Sequence, residues 1–168
     1  MGMKWYTIIL CFSLTAQSCR EKGEQGNGSI AGTEAKNGPD LNEVRKMLCD
    51  YHADIAKEGL KAELRYLDSA ENFFWVPPGY STALDYDSVR TIIIAGAPLF
   101  PMINLHWDTL RLFPLSKNIV NYTGIVSGSM QDTSGKVVNV SLIESGIAIR
   151  RISGWKILSG QTATIDDL

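Results

Sequence analysis

The sequence predicts an α+β domain in which helices come first and a mainly antiparallel sheet follows. Three observations carry this. Apolar residues recur at helical spacing from Leu41 to Leu67. After Pro101 the pattern changes to long β-rich runs at residues 103–113, 119–130, 137–151 and 155–164. Those runs are separated only by residues 114–117, 132–135 and Ser153-Gly154, connections of hairpin type.

Each element has its own signal. Asp40 offers a side-chain cap, and Glu43, three residues on, completes the pattern of a capping box. Leu41, Val44, Leu48, Tyr51 and Ile55 then form one apolar stripe, with Gly59 as the stop. Leu60, Leu64 and Leu67 predict a short second helix. The aromatic run Phe73-Phe74-Trp75-Val76 predicts a strand that Pro77-Pro78-Gly79 ends. Asp87-Ser88 is read as the cap of a third helix over residues 89–95, terminated by Gly96 and Pro98.

Composition bounds the rest. The chain has 168 residues, 45% hydrophobic and 20% charged, which suits one globular domain and excludes disorder throughout. Sixteen basic against 18 acidic residues leave no basic footprint for nucleic acid. Three cysteines and two histidines are too few for a zinc cluster or a disulfide framework, so no metal or cofactor is expected.

Residues 1–18 are read as an address. Lys4 precedes a ten-residue apolar run that would span about 15 Å as a helix, half of a hydrocarbon core of about 30 Å. That length suits a signal peptide rather than a membrane span. Thr15-Ala16-Gln17-Ser18-Cys19 is similar to a bacterial lipoprotein signal, which implies cleavage before Cys19 and lipid attachment to it. The expected place is therefore the bacterial cell envelope, with the membrane as a partner through the anchor. The mature chain would carry 15 basic and 18 acidic residues, a formal charge of −3. Cys49, with Asp50 beside it to disfavour the thiolate, is read as a packing residue. Residues 20–39 hold five glycines and one sizeable apolar residue, Ile30, and are read as a tether reaching about 25 Å. The domains are thus residues 1–18, a lipidated cysteine and tether at 19–39, and a folded unit at 40–168.

The order of elements over residues 41–164 resembles the nuclear transport factor 2-like superfamily, especially its SnoaL-like bacterial branch. The likeness rests on the first helix ending in Lys57-Glu58-Gly59, the aromatic strand, Tyr122-Thr123-Gly124 in a middle strand, and the closing run Gly154-Trp155-Lys156-Ile157-Leu158-Ser159-Gly160-Gln161. It implies a curved sheet wrapped around the helices into a cone with a pocket at the wide end. It also implies either ligand binding or isomerase, dehydratase or cyclase chemistry. Enzymes of that branch often place His or Asp in the closing strand and an acid just after the first helix. Here those places read Ser159, Gln161 and Lys57-Glu58, which favours binding of a small apolar ligand or a partner protein without catalysis.

Candidate site residues follow from strand alternation. A turn at Ser153-Gly154 sets Ala148 opposite Ser159 and Gly146 opposite Gln161, which puts Glu144, Arg150, Trp155, Ile157, Ser159 and Gln161 on one face. Glu144 near Gln161 is then the leading polar cluster, with Trp75, Tyr80 and Tyr122 as an aromatic rim for a largely apolar ligand. His106 and Asp108, two apart on one strand face, are a second candidate acid–base pair. Their Cα atoms would lie about 6.6 Å apart, too far to ensure contact. His52, at the edge of the first stripe, is read as a boundary residue. Both faces of the last hairpin carry isoleucine or leucine, so a homodimer packed sheet to sheet is also expected.

Overall fold

The computed structural model describes residues 38–165. The signal, Cys19 and most of the tether lie outside the described residues.

Helix α1 runs over Leu41–Glu58, with the Asp40 carboxylate accepting from the Asn42 amide. Glu43 does not close the capping box. Its carboxylate instead accepts from Arg150 and from the Trp155 indole N–H, which ties the start of the helix to the last hairpin. Residues Val44, Met47, Leu48, Tyr51, His52 and Ile55 are buried along the stripe. The expected second helix is a 3₁₀ segment, Leu60–Arg65. Its Arg65 bonds Asp54 and Glu58 of α1, and Tyr66 adds a hydroxyl bond to Asp54. Helix α2 covers Tyr86–Gly96, one turn longer at its start than expected, because Asp85 and not Asp87 caps it through the Ser88 amide at 2.8 Å. Asp85→Ala should lower the urea midpoint by the equivalent of about 1 kcal/mol, the usual worth of such a cap.

Five strands form one sheet in the order β1-β5-β4-β3-β2. They are β1 (Phe74–Val76), β2 (Met102–Ser116), β3 (Ile119–Gln131), β4 (Val137–Arg151) and β5 (Gly154–Thr164). The last four make the expected antiparallel meander, and β1 joins its edge in parallel to β5. Helix α1 touches both β2 and β5, so it lies in the hollow of a bent sheet. The Trp107 indole donates to the Leu48 carbonyl at 3.0 Å and fixes that packing. Register shifts in β2 and between Ile147 and Ala148 of β4 mark bulges, which bend strands.

Three inner-face glycines let aromatic rings lie close against the sheet. A Cβ on Gly124 would come within 2.8 Å of the Trp107 ring, one on Gly146 within 2.8 Å of the Tyr122 hydroxyl, and one on Gly160 within 2.5 Å of the Trp75 ring. The core is therefore an aromatic layer between α1 and the sheet, completed by Val120, Val126, Ala148, Trp155 and Ile157. Cys49 is half-buried against it.

Candidate functional site: a buried carboxyl–phenol cluster

Four side chains from four elements meet electrostatically under α1. Tyr122 of β3 is fully buried and donates its hydroxyl to Glu144 of β4 at 3.1 Å, and Glu144 is 4% exposed. Tyr51 of α1, 6% exposed, donates its hydroxyl to Glu63 of the 3₁₀ segment at 3.1 Å. Strand alternation explains the first pair: Glu144 lies opposite Gly124 and Tyr122 opposite Gly146, so both side chains point inward across neighbouring strands. Helix periodicity explains the second, because Tyr51 sits on the apolar stripe of α1.

Burial dominates the acid–base behaviour of the cluster. It pushes the Glu144 carboxyl up to about 8, against the opposing bond from Tyr122, with repulsion from Glu63 adding to the rise. It pushes Glu63 up to about 7, again against the bond from its tyrosine. Both phenols are driven well above their ordinary value, first by burial and then by the carboxyls. At neutral pH Glu144 is accordingly a neutral acid, able to donate as well as accept a hydrogen bond.

His52 of α1 packs beside this cluster, against the Tyr51 and Trp107 rings. It is 3% exposed, 4.7 Å from the Tyr51 ring and 5.1 Å from the Trp107 ring. Neither ring nitrogen has a hydrogen-bond partner among the described residues. Burial, with a smaller push from His106, lowers its pKa to about 4, so the imidazole is neutral. The sequence placed this residue at a boundary; it is instead inside the aromatic layer.

The other predicted site residues fall elsewhere. Gln161 does not join Glu144. The β4–β5 turn is Ile152-Ser153, one residue earlier than expected, which pairs Arg150 with Trp155 and Ala148 with Ile157. The bulge then sets Ile147 opposite Ser159 and Ser145 opposite Gln161, so Ser159 and Gln161 change to the other face and Thr162 lies opposite Glu144. Trp75, Tyr80 and Tyr122 form no common rim. Trp75 is buried over Gly160, and Tyr80 lines a surface depression of about 370 Å³ with Leu84, Asp87 and Ile92. A second depression of about 390 Å³ lies between α1 and the β4–β5 turn, with Trp155, Tyr66 and Arg65 among its walls. His106 and Asp108 do meet, at 3.2 Å, because the strand bulges at Asp108. That pair is exposed on the outer face, and Asp108 also accepts from Ser127. With the carboxylate between the other two groups, no imidazole is left to activate the serine. Among the described residues no group of three His, Cys, Asp or Glu side chains is placed to hold a metal ion.

Comparison with known proteins supports the architecture. No family model and no curated protein matches the chain. Solved structures do. A proposed dehydratase of the nuclear transport factor 2-like family from Streptomyces avermitilis aligns with TM-score 0.65 at 13% identity, over 76% of this chain and 98% of that one. A nuclear transport factor 2-like superfamily protein from Salmonella enterica serovar Typhimurium aligns with TM-score 0.63 at 11% identity, over 75% and 91%. A proposed calcium/calmodulin-dependent protein kinase II association domain from Xanthomonas campestris aligns with TM-score 0.62 at 12% identity, over 83% and 100%. Enzyme-like and non-enzymatic descriptions thus occur on one architecture, and at these identities only the fold is shared. The chain has the cone-shaped α+β fold of nuclear transport factor 2-like proteins.

Proposed function

We propose that this is a lipid-anchored protein of the bacterial envelope that takes a small, largely apolar molecule into its cone. It would hold the polar end of that molecule against Glu144–Tyr122 and His52, without turnover. The observation that carries the reading is a neutral carboxyl and an unpartnered neutral imidazole buried in one aromatic layer. A neutral imidazole has one donor and one acceptor. Leaving such a group unsatisfied costs about 1–3 kcal/mol, which a ligand with a hydroxyl or carbonyl would recover. Glu63 of the 3₁₀ segment is only half-buried, and we place the approach of the ligand beside it.

The test is native mass spectrometry of the protein isolated from its own host. A small molecule retained by the wild type is expected, with occupancy about tenfold lower in His52→Leu, the equivalent of one net hydrogen bond. The same variant should be more stable than wild type once the ligand is stripped, because an orphaned polar group has been removed. Wild-type protein that carries no molecule from its host contradicts the reading.

One observation favours a second reading. A buried carboxyl raised to about 8 and a half-buried one raised to about 7 form an acid–base pair suited to proton transfer on a bound substrate. Turnover of the retained molecule that is lost in both Glu63→Gln and Glu144→Gln would establish that chemistry. We further propose that the outer face of the sheet, where Ile125 pairs with Ile143 and both are exposed, packs against a second copy. Sedimentation should show a dimer; monomer alone would contradict it.

A further inference from the structure

We propose that the end of the domain formed by the β2–β3 and β4–β5 turns is its membrane-facing surface, seated in the interfacial layer of the bilayer. This rests on the lipid-anchored reading above and adds which part of the fold meets the lipid.

Three observations converge on that end. The two turns are neighbours: the Arg150 amide donates to the Asn118 carbonyl at 2.8 Å, and Ile119 pairs with Ile149 beside them. The chain also enters the domain here, because Glu43 in the first turn of α1 is held by Arg150 and Trp155. The described chain therefore begins beside these turns, and an anchor at Cys19 would be joined to the fold there. Finally, the residues at the turns suit a bilayer interface. Ile152 at the tip of β4–β5 is fully exposed, and Leu115 and Phe113 are exposed near the end of β2. Lys117 lies beside them, while Arg151 is bound to Asp68 and the Lys156 amine to the Arg65 carbonyl, so the tip itself is apolar with basic residues at its base.

The turn at the other end of β3 has a different character. Residues 132–136 read Asp-Thr-Ser-Gly-Lys, and the Asp132 carboxylate accepts from the Ser134 and Lys136 amides. That turn is polar and satisfied by its own bonds; Met102, Val137 and Val138 are exposed beside it, so what distinguishes the proposed end is its apolar turn tip together with the entry of the chain there. Charge alone does not direct the basic end to lipid, since Arg150 is paired with Glu43 and Arg151 with Asp68. Contact would come from the apolar tip, and the acyl anchor would make a weak patch sufficient by keeping it at high local concentration.

The test uses the full chain isolated from bacterial membranes and reconstituted in vesicles of phosphatidylcholine with phosphatidylglycerol. Ile152→Cys and, separately, Ser134→Cys carry an environment-sensitive fluorophore, with wild-type protein reporting any label taken up by Cys49. Brominated lipid should quench the label at position 152 at least about threefold more than the label at 134, as expected for a tip in the headgroup–acyl boundary. The ratio should change little when phosphatidylglycerol is omitted. Equal quenching at the two positions overturns the proposal. The mass of the Cys19 peptide tests the anchor separately. An acylated chain whose position 152 stays in water refutes the surface and leaves the anchor standing; selective quenching at 152 without acylation supports the surface and refutes the anchor.

Discussion

Raising the pH from about 5 to about 8.5 will progressively destabilise this domain, and Glu144→Gln will remove the larger part of that loss. The sign follows from proton linkage. A carboxyl with an ordinary value of 4.5 in the unfolded chain and about 8 in the folded one keeps its proton on folding throughout this window. The folded state then binds more protons than the unfolded state, so stability is greatest below 4.5 and is lost as pH rises toward 8. At about 1.36 kcal/mol per pKa unit the effect for Glu144 approaches roughly 5 kcal/mol, a large share of the 5–15 kcal/mol typical of a domain. Glu63, raised to about 7, acts in the same direction over a narrower window. His52 opposes both on the acid side: its value falls from 6.5 to about 4, so its contribution is lost as pH drops through that range. Urea unfolding at a series of pH values reads all three. Glutamine keeps an oxygen for the Tyr122 hydroxyl and carries no titrating proton. The variant should therefore match wild type near pH 5 and exceed it by several kcal/mol at pH 8.5. Parallel curves would show that Glu144 titrates as an ordinary surface acid.

Gly146→Ala will be among the most damaging single substitutions in the chain. An added Cβ would meet the Ser159 carbonyl at 2.4 Å and the Tyr122 hydroxyl and ring at 2.8 and 2.9 Å. The first contact is backbone in the middle of a sheet and has little room to yield, so the strand pairing itself must shift. Overpacking of a core ordinarily costs 1–3 kcal/mol, and here about 3 kcal/mol or more is expected because backbone must move. The Tyr122–Glu144 bond will be displaced with it, so the alkaline loss of stability should also change shape. Gly96→Ala supplies the contrast. That glycine ends α2 and would find only Leu60 at 3.5 Å, an ordinary contact, so alanine should be neutral or stabilising by up to about 1 kcal/mol. Thermal melts of the two variants should therefore move in opposite directions or differ by well over 10 °C. Equal small shifts would mean that the inner-face glycines do not seat the aromatic layer.

The architecture was legible because its signals are periodic. The helical stripe from Leu41 to Ile55 and four long β-rich runs give α1 and β2–β5 to within a few residues at each end, and hairpin spacing gives their antiparallel order. The site was less legible for physical reasons that can be located. One bulge between Ile147 and Ala148, together with a turn one residue early, moves Gln161 and Ser159 to the opposite face, and a period-two pattern carries no mark of such a slip. Asp108 is a bulged residue too, which is why His106 and Asp108 touch when regular strand spacing keeps such neighbours apart. Glu63 carries a signal of its own in the sequence. It lies three residues after Leu60 and four before Leu67, on the spacing of the apolar stripe, where an acid is either strained or functional. The glycines at 124, 146 and 160 are a second signal, since small residues on an inner sheet face leave room for rings above them.

A neutral Glu144 buried under α1 at physiological pH underlies both the ligand site and the alkaline loss of stability. Its direct test is a titration of the glutamate side-chain carboxyl carbons by nuclear magnetic resonance, with Glu144→Gln assigning the missing signal. A midpoint near 8 for Glu144 is predicted. A midpoint near the ordinary 4.5 would contradict the account, because the cluster under α1 would then be charged and hydrated rather than a site for an apolar guest.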